Sequence, residues 1–274
     1  MSADQLNEVT ENGAAHADAS DASCAHTSAS EPVAPLFPSA PAGVTKALVL
    51  SSGGVDSTTC LALAVQQLGA PNVTSVSVFY GQKHKRELES ARALAGHYGV
   101  AHRTLDLSAI LADSNNALMA SSTQEIAHGT YANQIERDES GMVNTYVPFR
   151  NGLILSAAAA LALSLYPNDH IALYLGAHAD DAAGNAYPDC SPAFTHAMGS
   201  AINIGTYERV CLVTPFVNHT KADVVACGLA LGVPFELTWS CYEGGEKACG
   251  TCATCLDRKA AFHMNGVEDP IEYA

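Results

Sequence analysis

From Lys46 onward the chain alternates short apolar runs with longer stretches in which apolar residues return every three or four positions. Residues 46–51 (KALVLS) are short and apolar enough for a strand buried on both faces. Leu61, Ala64, Val65 and Leu68 recur at helical spacing, which predicts a helix from Ser57 to Leu68, stopped by Gly69-Ala70-Pro71-Asn72. Val73 to Phe79 reads as a second strand. Leu88, Ala91, Ala95 and Tyr98 mark one face of a helix over 84–98, and His102 to Leu107 is a third strand. Residues 108–146 are polar and weakly periodic, an expected excursion over the active site. The pattern then resumes with an Ala-rich helix over 151–165, a strand from Ile171 to Leu175 and a polar loop over 176–190. A helix near 191–203, a strand at 209–213, a helix at 220–231 and a final helix at about 254–265 complete the order. Strand–helix alternation of this kind predicts an α/β fold with a doubly wound, mostly parallel sheet.

Residues 1–45 lack this periodicity. They are rich in Ala, Ser, Asp and Pro, with six acidic residues and no Lys or Arg, and are expected to form a disordered leader. The expected organisation is a leader (1–45), an α/β domain (46–240) and a cysteine-bearing C-terminal segment (241–274) packed on that domain. The formal net charge is −15, and residues 46–274 hold 22 acidic against 13 basic residues. So acidic a surface is a poor partner for long nucleic acids, though a local pocket can still hold a small anion. The N-terminus lacks a basic start and an apolar stretch, and the longest apolar run, Gly152 to Tyr166, is short for a membrane span. Nine cysteines, an odd number with four crowded into 241–255, do not fit a secreted disulfide scaffold. Together these features point to a cytoplasmic protein with no membrane partner.

The first strand runs into Ser51-Ser52-Gly53-Gly54-Val55-Asp56-Ser57-Thr58-Thr59. Two glycines after a strand let the backbone turn sharply and approach a ligand. Amides of the turn and of the following helix start then converge, with the helix dipole behind them, on an anion site. The string is neither a G-x-x-x-x-G-K-[ST] loop nor a G-x-G-x-x-G fingerprint. SGGVDS is similar to the pyrophosphate loop of the N-type ATP pyrophosphatases, which expel pyrophosphate from ATP and leave AMP on a substrate oxygen. Asp56 is a candidate Mg²⁺ ligand, since that ion favours carboxylates together with phosphate oxygens.

Cys241, Cys249, Cys252 and Cys255 have the spacing C-x7-C-x2-C-x2-C. Tight C-x2-C turns supply thiolates to tetrahedral zinc, and four protein ligands make a closed, structural site. Redox or sulfur-transfer chemistry at paired thiols and a stand-alone zinc ribbon are the competing readings. Cys60, Cys211 and Cys227 fall at expected core positions.

Four strings occur in order: SGGVDSTTCL (52–61), YGQKHKREL (80–88), VPFRNGLILSAAAALA (147–162), and the stretch from GAHADDAAGNAYPDC (176–190) to SCYEGGEKACGTCATCLDRKAAF (240–262). With them the chain, over about residues 46–267, resembles the 7-cyano-7-deazaguanine synthase family. The resemblance implies an adenine-nucleotide α-hydrolase-like fold and a reaction on 7-carboxy-7-deazaguanine, ATP and free ammonia within queuosine biosynthesis. It further implies Mg²⁺, one structural Zn²⁺ per chain and a homodimer. Carried onto this sequence, it assigns nucleotide binding to Ser51, Ser52, Gly53, Gly54, Val55, Asp56, Ser57, Thr58, Thr59, Cys60 and Leu61. Catalytic roles fall to Asp56, Lys83 and Arg150, and substrate contacts to Arg150, Asn151, Asp180, Tyr187 and Asp189. Asp180 or Asp181 is expected to share Mg²⁺ with Asp56. One departure stands out: Phe149 occupies the place where the family pattern V-P-G-R-N has glycine, which puts the pocket beside Arg150 in question. The alternatives are a tRNA-modifying ATP pyrophosphatase, which the acidic balance disfavours, and a non-catalytic zinc-ribbon module.

Overall fold

The structure, a computed structural model, describes residues 39–137 and 142–274. The expected leader therefore lies mostly outside the described residues. Among those residues, five strands form one parallel sheet: β1 (Lys46–Leu50), β2 (Val73–Phe79), β3 (Ala101–Asp106), β4 (Ile171–Tyr174) and β5 (Val210–Val213), in the order β3-β2-β1-β4-β5. Eight helices accompany them among the described residues: α1 (Val55–Leu68), α2 (Arg86–His97), α3 (Tyr131–Arg137), α4 (Arg150–Leu165), α5 (Ala179–Ala182), α6 (Pro192–Gly205), α7 (Lys221–Ala230) and α8 (Ala253–Met264). The doubly wound α/β architecture expected from the periodicity is the one present.

The central strand shows how the two layers arise. Successive strand side chains point to opposite faces. Ala47 and Val49 enter a core with Leu61 and Ala64 of α1, Val224 and Val225 of α7, and Phe262 of α8. Leu48 and Leu50 enter the opposite core with Leu155, Ala158 and Ala162 of α4 and Ile202 of α6. β2 places hydroxyls among its valines, and each finds a partner. Ser77 Oγ donates to the Ser51 carbonyl at 2.7 Å, Thr74 Oγ1 meets the Tyr166 hydroxyl, and Ser75 Oγ meets His102 Nδ1. β3 is one of the two edge strands, and its polar sequence AHRTLD stays largely exposed, as suits an edge that should not recruit another chain.

The order β3-β2-β1-β4-β5 reverses the chain's winding at β1, so a crevice opens beyond the carboxyl ends of β1 and β4, where ligands gather in open α/β sheets. The described residues of the 108–146 excursion pack beside the loop after β2, and Tyr131 among them reaches the cavity wall. Lys83 N–H donates to the Leu118 carbonyl and Ala120 N–H to the Gly81 carbonyl, each at 2.8 Å. A third apolar cluster joins Leu118, Met119, Ile126, Tyr80 and Trp239 to Cys241, Cys252 and Cys255, so the cysteine segment packs against the excursion. The short helix α3 was not visible in the sequence, because seven residues (YANQIER) are too few to show a period.

Phe149 stands at the N-cap of α4 with φ 50° and ψ 30°, the left-handed region that favours glycine. Its N–H donates to the Tyr146 hydroxyl at 3.1 Å, and its ring packs edge-on against Phe194. The ring also lies over Gly152, where an added Cβ would fall 2.3 Å from it. It is 57% exposed and turned to the surface. The departure at this position therefore costs backbone strain outside the cavity and adds no bulk within it.

Candidate active site and four-cysteine centre

Above the sheet lies a cavity of about 230 Å³. One wall is the turn from β1 into α1: Ser51, Ser52, Gly54, Asp56 and Ser57 all line it. Gly54 is the N-cap of α1, and no side chain caps that helix start. Its first amides are thus left to a ligand, with the positive end of the helix dipole behind them. The serines hold the turn in shape: Ser57 Oγ accepts from Ser52 N–H at 3.2 Å, and Ser52 Oγ accepts from Gly54 N–H at 3.3 Å. Gly53 has φ 85°, and a Cβ there would sit 2.4 Å from the Glu87 carbonyl oxygen. Only glycine lets the turn lie this close to α2. Gly176, after β4, likewise presses on Asp56 and Ser57, where a Cβ would meet backbone at 2.9 Å.

Asp56 is the hub of a charged corner. Its Oδ2 accepts from Lys221 Nζ, and its Oδ1 lies 3.7 Å from His178 Nε2. Asp181 Oδ1 is 3.3 Å from the same His178 nitrogen. Burial opposes the Asp56 charge, but Lys221 and His178 outweigh it, and the carboxyl sits below its ordinary 3.8. Burial raises the Asp181 carboxyl; His178 opposes the rise and the Asp56 charge adds to it. Asp56 Oδ1 and His178 Nδ1 are buried without a hydrogen-bond partner. An orphaned carboxylate oxygen beside an open helix start suits a cation arriving with a phosphate.

The opposite wall holds Arg150, the first residue of α4. Its guanidinium lies 5.4 Å from the Tyr80 ring centroid, and Nη1 is 3.5 Å from the Tyr80 hydroxyl. Burial pushes the Tyr80 phenol up to about 12, against the pull of Arg150. Asp189 sets the start of this helix: its Oδ2 accepts from Asn151 N–H at 2.9 Å. Asn151 Nδ2 in turn donates to the Asp189 carbonyl and to Cys190 Sγ. The motifs around 148–151 and 187–190 thus occur together because one caps the other.

The expected site residues divide accordingly. Ser51, Ser52, Gly54, Asp56, Ser57, Arg150 and Asn151 reach the cavity wall. Gly53 and Thr58 support the turn, with Thr58 Oγ1 donating to the Gly54 carbonyl at 2.7 Å. Val55, Thr59, Cys60 and Leu61 are buried under α1, at most 1% exposed; the helical period that exposes residues 54 and 57 turns these into the core. Lys83 is exposed and donates to the Gln124 carbonyl at 2.6 Å, away from the cavity lining. Asp180 Oδ2 accepts from Lys221 N–H at 2.7 Å, so it positions Lys221 while Asp181 faces the cavity. The Tyr187 hydroxyl is buried against Thr145 and Tyr242, behind the wall. Asp189 is likewise occupied at the start of α4. Lys221, His178, Glu87 and Trp239 were not singled out from the sequence. Lys221 could have been, because it opens the helix after β5, on the ligand side of such sheets. Trp239, the single tryptophan, bridges two regions: its N–H donates to the Gly53 carbonyl at 2.8 Å and its indole Nε1 to the Cys241 carbonyl at 2.9 Å.

The four sulfurs of Cys241, Cys249, Cys252 and Cys255 lie within 4.8 Å of one another. Cys249 Sγ is 3.9 Å from Cys255 Sγ, near the edge of about 3.8 Å that follows from metal–sulfur bonds of about 2.3 Å. Backbone N–H groups already point at sulfur: Cys249 N to Cys241 Sγ and Cys252 N to Cys249 Sγ, both 3.3 Å. Such donors stabilise thiolates, and the arrangement could hold a metal ion such as zinc. His128 and Thr251 join across the rim at 2.7 Å, tying the excursion to the centre.

Fold and site define an α/β protein that offers an open helix start and two cations to one cavity, with a four-cysteine centre beside it. The profile of the family described as queuosine biosynthesis protein QueC matches residues 46–266, and this chain belongs to that family. It is 40% identical over 230 residues to 7-cyano-7-deazaguanine synthase of Pseudoalteromonas atlantica, covering 84% of this chain and 99% of that protein. It is 43% identical over 228 residues to the synthase of Caldicellulosiruptor saccharolyticus, covering 83% and 95%. A solved NMN synthetase from Francisella tularensis superposes with a TM-score of 0.43 at 15% identity, over 82% of this chain and 79% of the other.

Proposed function

We propose that this protein is a 7-cyano-7-deazaguanine synthase of queuosine biosynthesis. It converts 7-carboxy-7-deazaguanine, ammonia and ATP to the nitrile. The observation that carries the reading is the uncapped start of α1, which opens on a cavity with Arg150 on the facing wall. A carboxylate is a poor electrophile until its charge is masked. Attack of that carboxylate on the α-phosphorus of ATP expels pyrophosphate and makes an acyl adenylate. Ammonia displaces AMP to give the amide. A second adenylation, at the amide oxygen, permits elimination of AMP and leaves C≡N.

Within this reading the chain positions reactants and neutralises charge. The turn Ser51–Ser57 receives the outer phosphates, and Lys221 is held by Asp56 where a phosphate oxygen can replace that carboxylate. Arg150 faces the substrate acid. Asp56 and Asp181, with phosphate oxygens, are the groups that would hold Mg²⁺, which would offset charge on the leaving pyrophosphate. Zinc is the ion suited to the four cysteines, as a structural group. The clustering of four cysteines into one short segment, unlike a secreted disulfide scaffold, supports a cytoplasmic setting. The acidic balance supports small-molecule substrates over nucleic acid, and the family resemblance supports a homodimer. Residues 46–240 act as the ATP-pyrophosphatase domain, with 241–274 its zinc-binding segment.

The test is incubation of the full chain with ATP, Mg²⁺, ammonium and 7-carboxy-7-deazaguanine, followed by mass analysis. The nitrile and AMP are expected, and Asp56→Ala should lower AMP formation by at least about 100-fold. Release of ADP in place of AMP, or no nitrile, would refute the proposal.

A further inference from the structure

Recognition of the deazaguanine ring is not explained by the residues the sequence put forward. Asp189, an expected substrate contact whose carboxylate could accept from the ring's N–H edge, is 5% exposed and spends Oδ2 on the start of α4. Tyr187 is sealed behind the wall by Thr145 and Tyr242. Another acceptor is therefore needed. Five charged residues line the cavity among the described residues: Asp56, Asp181, Glu87, Arg150 and Lys221. Asp56 is committed to Lys221, and Asp181 to His178. Glu87 alone among the three acids makes no hydrogen bond or salt bridge with the described residues.

The fold places Glu87 deliberately. It lies in the first turn of α2, the helix on which Gly53 packs without a side chain, so Glu87 stands beside the phosphate turn. Arg150 is the cation that acts on it across the cavity, yet no salt bridge among the described residues joins the two. Burial pushes the Glu87 carboxyl up to about 7, with Arg150 opposing. A negative group beside a phosphate site that bonds to no cation is unfavourable unless a ligand brings donors to it. A 2-amino-pyrimidinone ring brings two adjacent N–H donors, N1–H and the 2-amino group, which match the two oxygens of one carboxylate.

We propose that Glu87 receives the N1–H and 2-amino edge of the deazaguanine base and so determines specificity for a guanine-type ring. The assignment rests on the synthase reading above. With the ring held there, Arg150 across the same cavity is left to the acid group.

The test compares two ligands by calorimetric titration of the full chain: 7-carboxy-7-deazaguanine and its analogue lacking the 2-amino group. The wild type should favour the first by about 10- to 100-fold, the worth of a hydrogen bond to a charged group. Glu87→Gln is nearly isosteric and should shrink that ratio to about 3-fold, while ATP affinity stays within about 2-fold. Glu87→Asp should recover part of the ratio. A merely structural role would weaken both ligands equally and leave the ratio intact, which would overturn the proposal. A loss confined to ATP would also overturn it, because the ribose hydroxyls would then be the donors. If the wild type binds neither compound and releases no AMP, the synthase reading falls and this inference with it. If AMP and nitrile form normally but Glu87→Gln keeps the ratio, Glu87 alone is refuted.

Discussion

The phosphate turn and the four-cysteine centre sit side by side, joined through Trp239, and they satisfy their polar atoms in opposite ways. The cysteine centre is nearly self-sufficient. Its sulfurs take N–H groups from residues within the same short segment, and Thr254 Oγ1 binds the Ser240 carbonyl at 2.8 Å nearby. The turn region leaves Asp56 Oδ1, His178 Nδ1 and Ser240 Oγ buried and unpartnered. It also assembles partners from afar, since Asp56 and Lys221 are 165 positions apart. At the turn, the unmet polar groups face the place where a ligand would come and go; at the cysteines, the sulfurs are met in advance by the segment that holds them. Through the Trp239 bonds to Gly53 and Cys241, the rigid region can brace the open one.

The contrast can be broken first at the cysteines. On the proposed zinc assignment, Cys255→Ser should abolish metal binding and remove most of the folding contribution of that site, on the order of 10 kcal/mol. Metal analysis and thermal melting would check it, and a metal-free variant that melts like the wild type would undo the structural assignment. Next in size is Gly53→Ala. The new Cβ would meet the Glu87 carbonyl at 2.4 Å, at a positive φ. A loss of about 1–3 kcal/mol is expected, with AMP release falling at least about 100-fold as the turn shifts. Metal binding at the cysteine centre, on the proposed zinc assignment, should be unaffected, which sharpens the distinction between the two regions.

The smallest effect concerns Glu87 and pH. Its carboxyl is raised from 4.5 to about 7 in the folded chain. Below 4.5 both states carry the proton, and the group does not affect stability. Between 4.5 and about 7 the unfolded chain gives up its proton more readily, so folding is progressively disfavoured. Above about 7 the penalty is complete. Glu87→Gln should therefore melt higher than the wild type at pH 8 and approach it below pH 4. Thermal melts across that range would check the sign, and a variant less stable at pH 8 would contradict it.

Much of this was legible in the chain. β1 and β4 are buried on both faces and so wrote themselves as apolar runs, and α1 and α2 kept a helical period. The SGGVDS turn and the C-x2-C-x2-C spacing are contiguous, so local geometry alone brings their atoms together. The sequence could not say that Asp189 is consumed in starting α4, because capping and ligand binding ask for the same carboxylate. Nor could it show Phe149 turned outward with a strained backbone. Lys221, Glu87 and Trp239 reach the cavity only because the parallel sheet brings the ends of distant loops to one edge. A motif fixes chemistry within a few residues of itself, while convergence across the crevice depends on how helices pack on the sheet, and that is a property of the whole fold.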